Sequence, residues 1–161
     1  ALAALVGARV IATAAESDHD LVLSLGADLV LDHHDPGLPE LLAQSAPDGF
    51  DVFLDTSGHY PLAAAIDLLA PGARLIAMVG LHGSTTLPIR DLYTRDASIV
   101  GFAISNAAAH DLSAAAKGVA LLLQQTQWRP RRAGEARIAD AREVHRRIAA
   151  GQIRGRLLVR P

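Results

Sequence analysis

Short apolar runs and stretches of helical spacing alternate along the chain. Val52, Phe53 and Leu54 are consecutive, the pattern of a strand covered on both faces, and the small polar residues Asp55-Thr56-Ser57-Gly58 follow at its carboxyl end. Leu62, Ile66 and Leu69 then recur at helical spacing behind Pro61, which suits a first helical turn, and Pro71-Gly72 marks the expected stop. Arg74–Val79 is a second apolar run, closed by Gly80. Two buried strands joined by a helix are most simply parallel, with a right-handed crossover.

The same grammar extends to either side. Ala1–Val6 reads as the end of a helix capped by Gly7, and Arg9–Thr13 as a strand. Glu16, Ser17 and Asp18 open a helix with Leu21, Val22 and Leu25 as its buried stripe. Leu29–Leu31 is the next strand, and Pro39–Ser45 a short helix with Leu41 and Leu42 inward. Beyond Gly80, residues 81–87 read as a loop, 89–96 as about one helical turn, and Ser98–Ile104 as a strand. Asp111 caps a long helix with the stripe Leu112, Ala116, Val119, Leu122 and Leu123. After a break at Pro130 come a strand candidate at Ala136–Ala139, a helix capped by Asp140 with Val144 and Ile148 inward, and a last strand at Gly155–Arg160. This alternation predicts an α/β fold with a mostly parallel sheet. Ligands of such sheets sit beyond the carboxyl ends of the strands, which singles out Thr56, Ser57, Gly58, Gly80 and Leu81.

Composition narrows the picture. Half of the 161 residues are apolar and only 4% aromatic, so Ala, Leu, Val and Ile must build the core. No apolar run approaches the ~18 residues of a membrane span. The absence of Cys removes disulfides, thiolate zinc sites and Cys nucleophiles from these residues. Ala1 stands inside a helical stretch without an initiator Met or a basic leader, and reads as a cut in something longer. Residues 1–128 carry five basic and fourteen acidic side chains, whereas 129–161 carry ten arginines and three acids. The Arg-rich end reads first as a solvated surface and second as a phosphate-facing one. Trp128 is its only stacking residue and no nucleic-acid motif is present, which argues against nucleic acid.

The order of short motifs resembles a known family. GARVIAT at 7–13, LGAD at 25–28, DVFLDTSG at 51–58, LLAPGARL at 68–75 and GQIRGRLLV at 151–159 follow one another. Together they are similar to the carboxyl half of a medium-chain dehydrogenase/reductase, in its zinc-independent quinone oxidoreductase-like branch. The resemblance covers nearly the whole chain. It implies a Rossmann-type doubly wound parallel sheet of strand order 3-2-1-4-5-6, incomplete here because the first strand and its glycine-rich turn would precede Ala1. No G-x-G-x-x-G occurs. Residues 1–128 would be Rossmann strands two to six, and 129–161 a segment returning to a catalytic domain. Without the first strand, the sheet is expected to split between Arg9–Thr13 and Asp51–Asp55.

By the same resemblance the activity is NAD(P)H-dependent hydride transfer to a quinone, enone or enoyl-type substrate, in the cytoplasm, with these residues alone inactive. The partners are a small-molecule substrate, with room for a homodimer and with neither nucleic acid nor membrane. The alternatives are a nucleotide-binding or structural protein without turnover, or an enoyl-reductase module of a polyketide synthase. Thr13, Ala14 and Ala15 would face the adenosine ribose. Small residues there leave room for a 2′-phosphate while Asp18 and Asp20 oppose it, a balance leaning to NADP over NAD. His33 would lie toward adenine. With Asp32, His34 and Asp35 it is read first as a surface loop, second as an adenine contact and third as a metal site, because neighbours on an extended segment point to opposite faces. Thr56, Ser57, Gly58, Val79, Gly80, Leu81, Phe102 and Ala103 would line the nicotinamide half. Arg156 is either a phosphate ligand or a solvated strand residue. No catalytic acid or base stands out, and Asp55 reads as structural; the nicotinamide would carry the hydride chemistry.

Overall fold

In chain order the elements are α1 (Leu2–Leu5), β1 (Ile11–Ala14), α2 (His19–Ser24), β2 (Leu29–Asp32), α3 (Leu38–Ser45), β3 (Phe50–Asp55), α4 (Leu62–Asp67), β4 (Leu69–Ala77), α5 (Ile89–Tyr93), β5 (Ser98–Gly101), α6 (Ala109–Gln125), β6 (Arg132–Arg137), α7 (Ala141–Ala149) and β7 (Arg156–Arg160). The structure, a computed structural model, describes residues 1–78, 84–125 and 129–161. They form two units, Ala1–Ser113 and Ala114–Pro161. No helix among the described residues is long and apolar enough to cross a membrane.

In the first unit β1 and β2 pair in parallel, and β3, β4 and β5 form a separate parallel sheet in that order. No ladder joins β1 to β3 among the described residues, so the sheet is split where the 3-2-1-4-5-6 order places its first strand. Ala65 and Ile66 of α4 pack on Leu69, Ala73 and Leu75 of β4, and Phe53 and Ile99 flank this core. Ile66 and Leu75 are fully buried, each contributing roughly 1.5–3 kcal/mol.

Several boundaries and faces differ from the sequence reading. The helix ends at Asp67, and β4 begins at Leu69 and runs through Pro71-Gly72. The register slips from Phe50↔Leu69 to Val52↔Arg74, so Pro71-Gly72 lies in a bulge instead of stopping a helix. Burial of Leu69, with the bonds from Phe50 N–H to Leu68 O (2.8 Å) and from Gly72 N–H to Arg95 O (2.7 Å), outweighs local helical spacing. Strand β3 is covered on one face only: Phe53 packs on the core, while Val52 and Leu54 are 54% and 53% exposed. Leu21 of α2 is also exposed, because a two-stranded sheet offers its helices little area.

Helix α6 begins at Ala109, which puts Asp111 in its first turn instead of at its cap. Leu122 is buried there while Leu112 and Val119 stay exposed. Strand β6 precedes the expected Ala136–Ala139, and residues 138–140 form a 3₁₀ turn. Asp140 holds the N-cap position of α7 without a side-chain cap bond and accepts from Arg137 Nε at 3.3 Å. Val144 is buried and Ile148 exposed.

In the second unit β6 and β7 pair in parallel. Glu135 pairs with Arg132 and with Arg160 Nε (2.6 Å), and Arg146 holds Glu143 below the usual carboxylate range through a 2.6 Å bond. Exposed pairs of this kind contribute little to stability.

Tyr60 packs against Phe53 with ring centroids 5.4 Å apart and ring planes tilted by 44°, and its buried hydroxyl has no hydrogen-bond partner among the described residues. Burial, helped by Glu40 and Asp67, pushes its pKa up and keeps it neutral. Removing an unsatisfied buried hydroxyl relieves a desolvation cost, so Tyr60→Phe is expected to be neutral or to stabilise by up to about 1 kcal/mol in chemical denaturation. A clear destabilisation would show that the hydroxyl is satisfied after all.

Candidate nucleotide-binding site

The last register pair of the first sheet is Ala14↔Asp32, which sets Ala15 and His33 side by side beyond it. His33 N–H donates to Ala14 O at 3.2 Å. His19 Nε2 lies 3.3 Å from the same oxygen, so the tautomer carrying its proton on Nε2 donates as well. His19 thus closes the end of β1, a role the sequence reading did not assign; its place five residues past the strand end was the available signal. Thr13 is exposed, Ala14 and Ala15 are half-buried, and Asp18 and Asp20 stand at the start of α2.

After β2 the chain turns at once. Asp32 Oδ1 accepts from His34 N–H at 2.9 Å and lies 3.4 Å from His34 Nδ1, and the His33 and His34 rings are 3.9 Å apart. The His34 N–H bond and the neighbouring imidazoles hold the Asp32 carboxyl below its ordinary range. The expectation that these side chains point to opposite faces is therefore overturned: the Asx turn breaks the extended geometry on which it rested. Donor atoms of Asp32, His33 and His34 lie within 4.8 Å of one another on this open turn.

In the second sheet Asp55 pairs with Ala77 and Ala77 with Gly101, so Thr56, Met78 and Phe102 follow at one edge. Phe102 N–H donates to Ala77 O at 3.0 Å, its side chain is exposed, and Ala103 leads into a 3₁₀ turn. Asp55 is buried, and its Oδ1 accepts from Ser57 N–H (2.9 Å), Ser57 Oγ (2.9 Å) and Gly58 N–H (3.0 Å). Ser57 Oγ accepts in turn from His59 N–H at 3.1 Å. Gly58 adopts φ +70°, a conformation that favours glycine. Val79, Gly80 and Leu81 lie outside the described residues.

Arg156 belongs to the second unit, where it opens β7, is exposed and donates its N–H to Arg131 O at 2.7 Å. An open cavity of about 220 Å³ in that unit is lined by Glu135, Arg147, Gln152 and Arg154 among others, and by none of the site residues predicted from sequence.

Parallel α/β units whose small, polar and glycine-containing turns gather at strand carboxyl ends define a Rossmann-type dinucleotide-binding fold. The chain belongs to the zinc-binding dehydrogenase family, which matches residues 1–120, within the medium-chain dehydrogenase/reductase superfamily. It is 34% identical over 88 residues to an NADPH-dependent curcumin reductase of Escherichia coli (strain K12), covering 52% of this chain and 26% of that protein. It is 26% identical over 149 residues to a quinone oxidoreductase of Mus musculus, covering 90% of this chain and 45% of that protein. The crystal structure of an NAD-dependent alcohol dehydrogenase shares the fold, with a TM-score of 0.78 at 24% identity over 99% of this chain and 46% of its own. The chain thus spans less than half the length of these proteins.

The family's name raises zinc. A catalytic zinc needs about three converging ligands and an open position. The chain has no Cys, and the Asp32-His33-His34 group is three consecutive residues on an open turn, with Asp32 already accepting from His34. These residues do not make such a cage, and no step is derived through zinc. A nicotinamide dinucleotide fits better. Ala14 and Ala15 present nothing larger than methyl groups, and the Thr56–Gly58 turn is exposed at a strand end.

Proposed function

We propose that the protein is an NAD(P)H-dependent oxidoreductase of the zinc-independent, quinone oxidoreductase-like branch, acting on a quinone, enone or enoyl-type small molecule. The observation that carries this reading is the shared strand-end edge of Asp55, Ala77 and Gly101, in a chain of dehydrogenase family. Residues 1–128 supply the nucleotide-binding part, and 129–161 return to a catalytic domain. The two curated relatives, a curcumin reductase and a quinone oxidoreductase, support the reaction class.

A bound cofactor supplies the hydride; this chain's residues bind and orient it. Thr13, Ala14, Ala15 and His33 hold the adenosine end. Thr56, Ser57, Gly58, Phe102 and Ala103, with Val79, Gly80 and Leu81 of the following segment, hold the nicotinamide end. Arg156 is available for a phosphate. The small residues at 14 and 15 lean the choice to NADP, against the charges of Asp18 and Asp20.

The test is fluorescence titration of the full-length protein with NADPH and NADH, for the native sequence and for Gly58→Val. A β-branched residue at φ +70° strains the turn and adds bulk where the cofactor approaches, so NADPH affinity should fall at least ~10-fold. Unchanged affinity in a variant with native circular dichroism would move the cofactor away from this turn. A large preference for NADH would reverse the NADP reading and make Asp18 and Asp20 the charges that exclude a 2′-phosphate.

A further inference from the structure

We propose that Asp55 is a positioning residue that locks the Thr56–His59 turn in a donor-depleted form, so that the turn receives the nicotinamide half of the cofactor and turns phosphate away. The role rests on the cofactor reading above, which uses Asp55 only as the last register pair of β3 and gives its side chain no part in binding. Consecutive backbone N–H groups at a strand-end turn would ordinarily make an anion-binding nest. Here they point inward. Ser57 and Gly58 N–H both donate to Asp55 Oδ1, and His59 N–H donates to Ser57 Oγ, which itself donates to the same carboxylate oxygen.

Three successive amides are thereby committed within the protein, and a carboxylate that is only 6% exposed sits beneath them. Its charge repels a phosphate, and no N–H of residues 57–59 is left to offset that repulsion. The uncharged end of a dinucleotide meets neither obstacle. Gly58, at φ +70°, lets the chain wrap the carboxylate so tightly. Asp55 does not reach the surface, so it acts through the turn and not on the reacting atoms.

The experiment compares two probes on the full-length protein: NADPH, and 2′-phospho-ADP-ribose, which keeps the adenosine and both bridging phosphates but lacks nicotinamide. Asp55→Ala should weaken NADPH at least ~10-fold and leave 2′-phospho-ADP-ribose within about twofold. Asp55→Asn keeps an acceptor oxygen at the same place and should restore most of the loss. Ser57→Ala, which removes one bond to Asp55 and the acceptor of His59 N–H, should fall between them. Amide hydrogen exchange without ligand should show Ser57 and Gly58 losing protection in Asp55→Ala. Equal weakening of both probes without rescue by Asp55→Asn would make Asp55 a mere support of the fold and overturn the proposal. So would unchanged NADPH binding in Asp55→Ala, with the cofactor reading left standing. Native protein that binds neither probe would overturn the cofactor reading itself, and this role with it.

Discussion

Gly49→Ala is expected to destabilise the protein by about 3 kcal/mol, the sum of about 1 kcal/mol for a left-handed backbone and about 2 kcal/mol for overpacking. Gly49 adopts φ +88° just before β3. A Cβ there would lie 2.5 Å from Ala70 N, 2.7 Å from Leu69 C and 2.8 Å from Ala70 Cα. All three are backbone atoms at the start of the β4 bulge, so no side chain can rotate away. Relief would require moving β4 from β3 at Phe50↔Leu69, where Phe50 N–H donates to Leu68 O. Gly72 is the control: it also has a positive φ, +76°, but a methyl group there would meet nothing within 4 Å, so Gly72→Ala should cost only the backbone part. Thermal unfolding of the full-length protein should show a drop of roughly 10 °C for Gly49→Ala and only a few degrees for Gly72→Ala. Equal shifts would mean that the close approach of Gly49 to β4 is not real.

The second large effect concerns the 161 residues expressed alone. They should be insoluble or lack a cooperative thermal transition. The split leaves β1 and β3 each with an edge that no described strand pairs, and beside the β3 edge Val52 and Leu54 are more than half exposed. An unpaired strand edge flanked by apolar side chains templates pairing with other chains. Leaving two large aliphatic side chains about half uncovered forgoes roughly 1 kcal/mol each, a noticeable share of a total stability of about 5–15 kcal/mol. Expression, size-exclusion chromatography and calorimetry of these residues check this. A soluble monomer with one sharp transition would refute the 3-2-1-4-5-6 strand order for this chain.

Local pattern determined the succession of strands and helices and the parallel α/β class, because period and Gly and Pro punctuation are properties of neighbouring residues. The split between β1–β2 and β3–β5 was legible only through the family resemblance carried by the order of short motifs, which implied a strand order with its central first strand missing. The tertiary structure decided what depends on distant partners. Leu69 continues the helical spacing of Leu62 and Ile66, yet it enters β4, because Phe50 accepts it as a register partner and the core buries it. Val52, Phe53 and Leu54 are equally apolar in the sequence, but the α4 layer covers only the face of Phe53. Asp32, His33 and His34 share one side because an Asx turn follows the strand immediately. Asp55 read as an ordinary strand end; three donors converging on one of its oxygens became visible only once the backbone had folded around it. Periodicity records which residues prefer to be buried, whereas cover, register and hydrogen-bond convergence are set by segments far apart in the chain that only folding brings together.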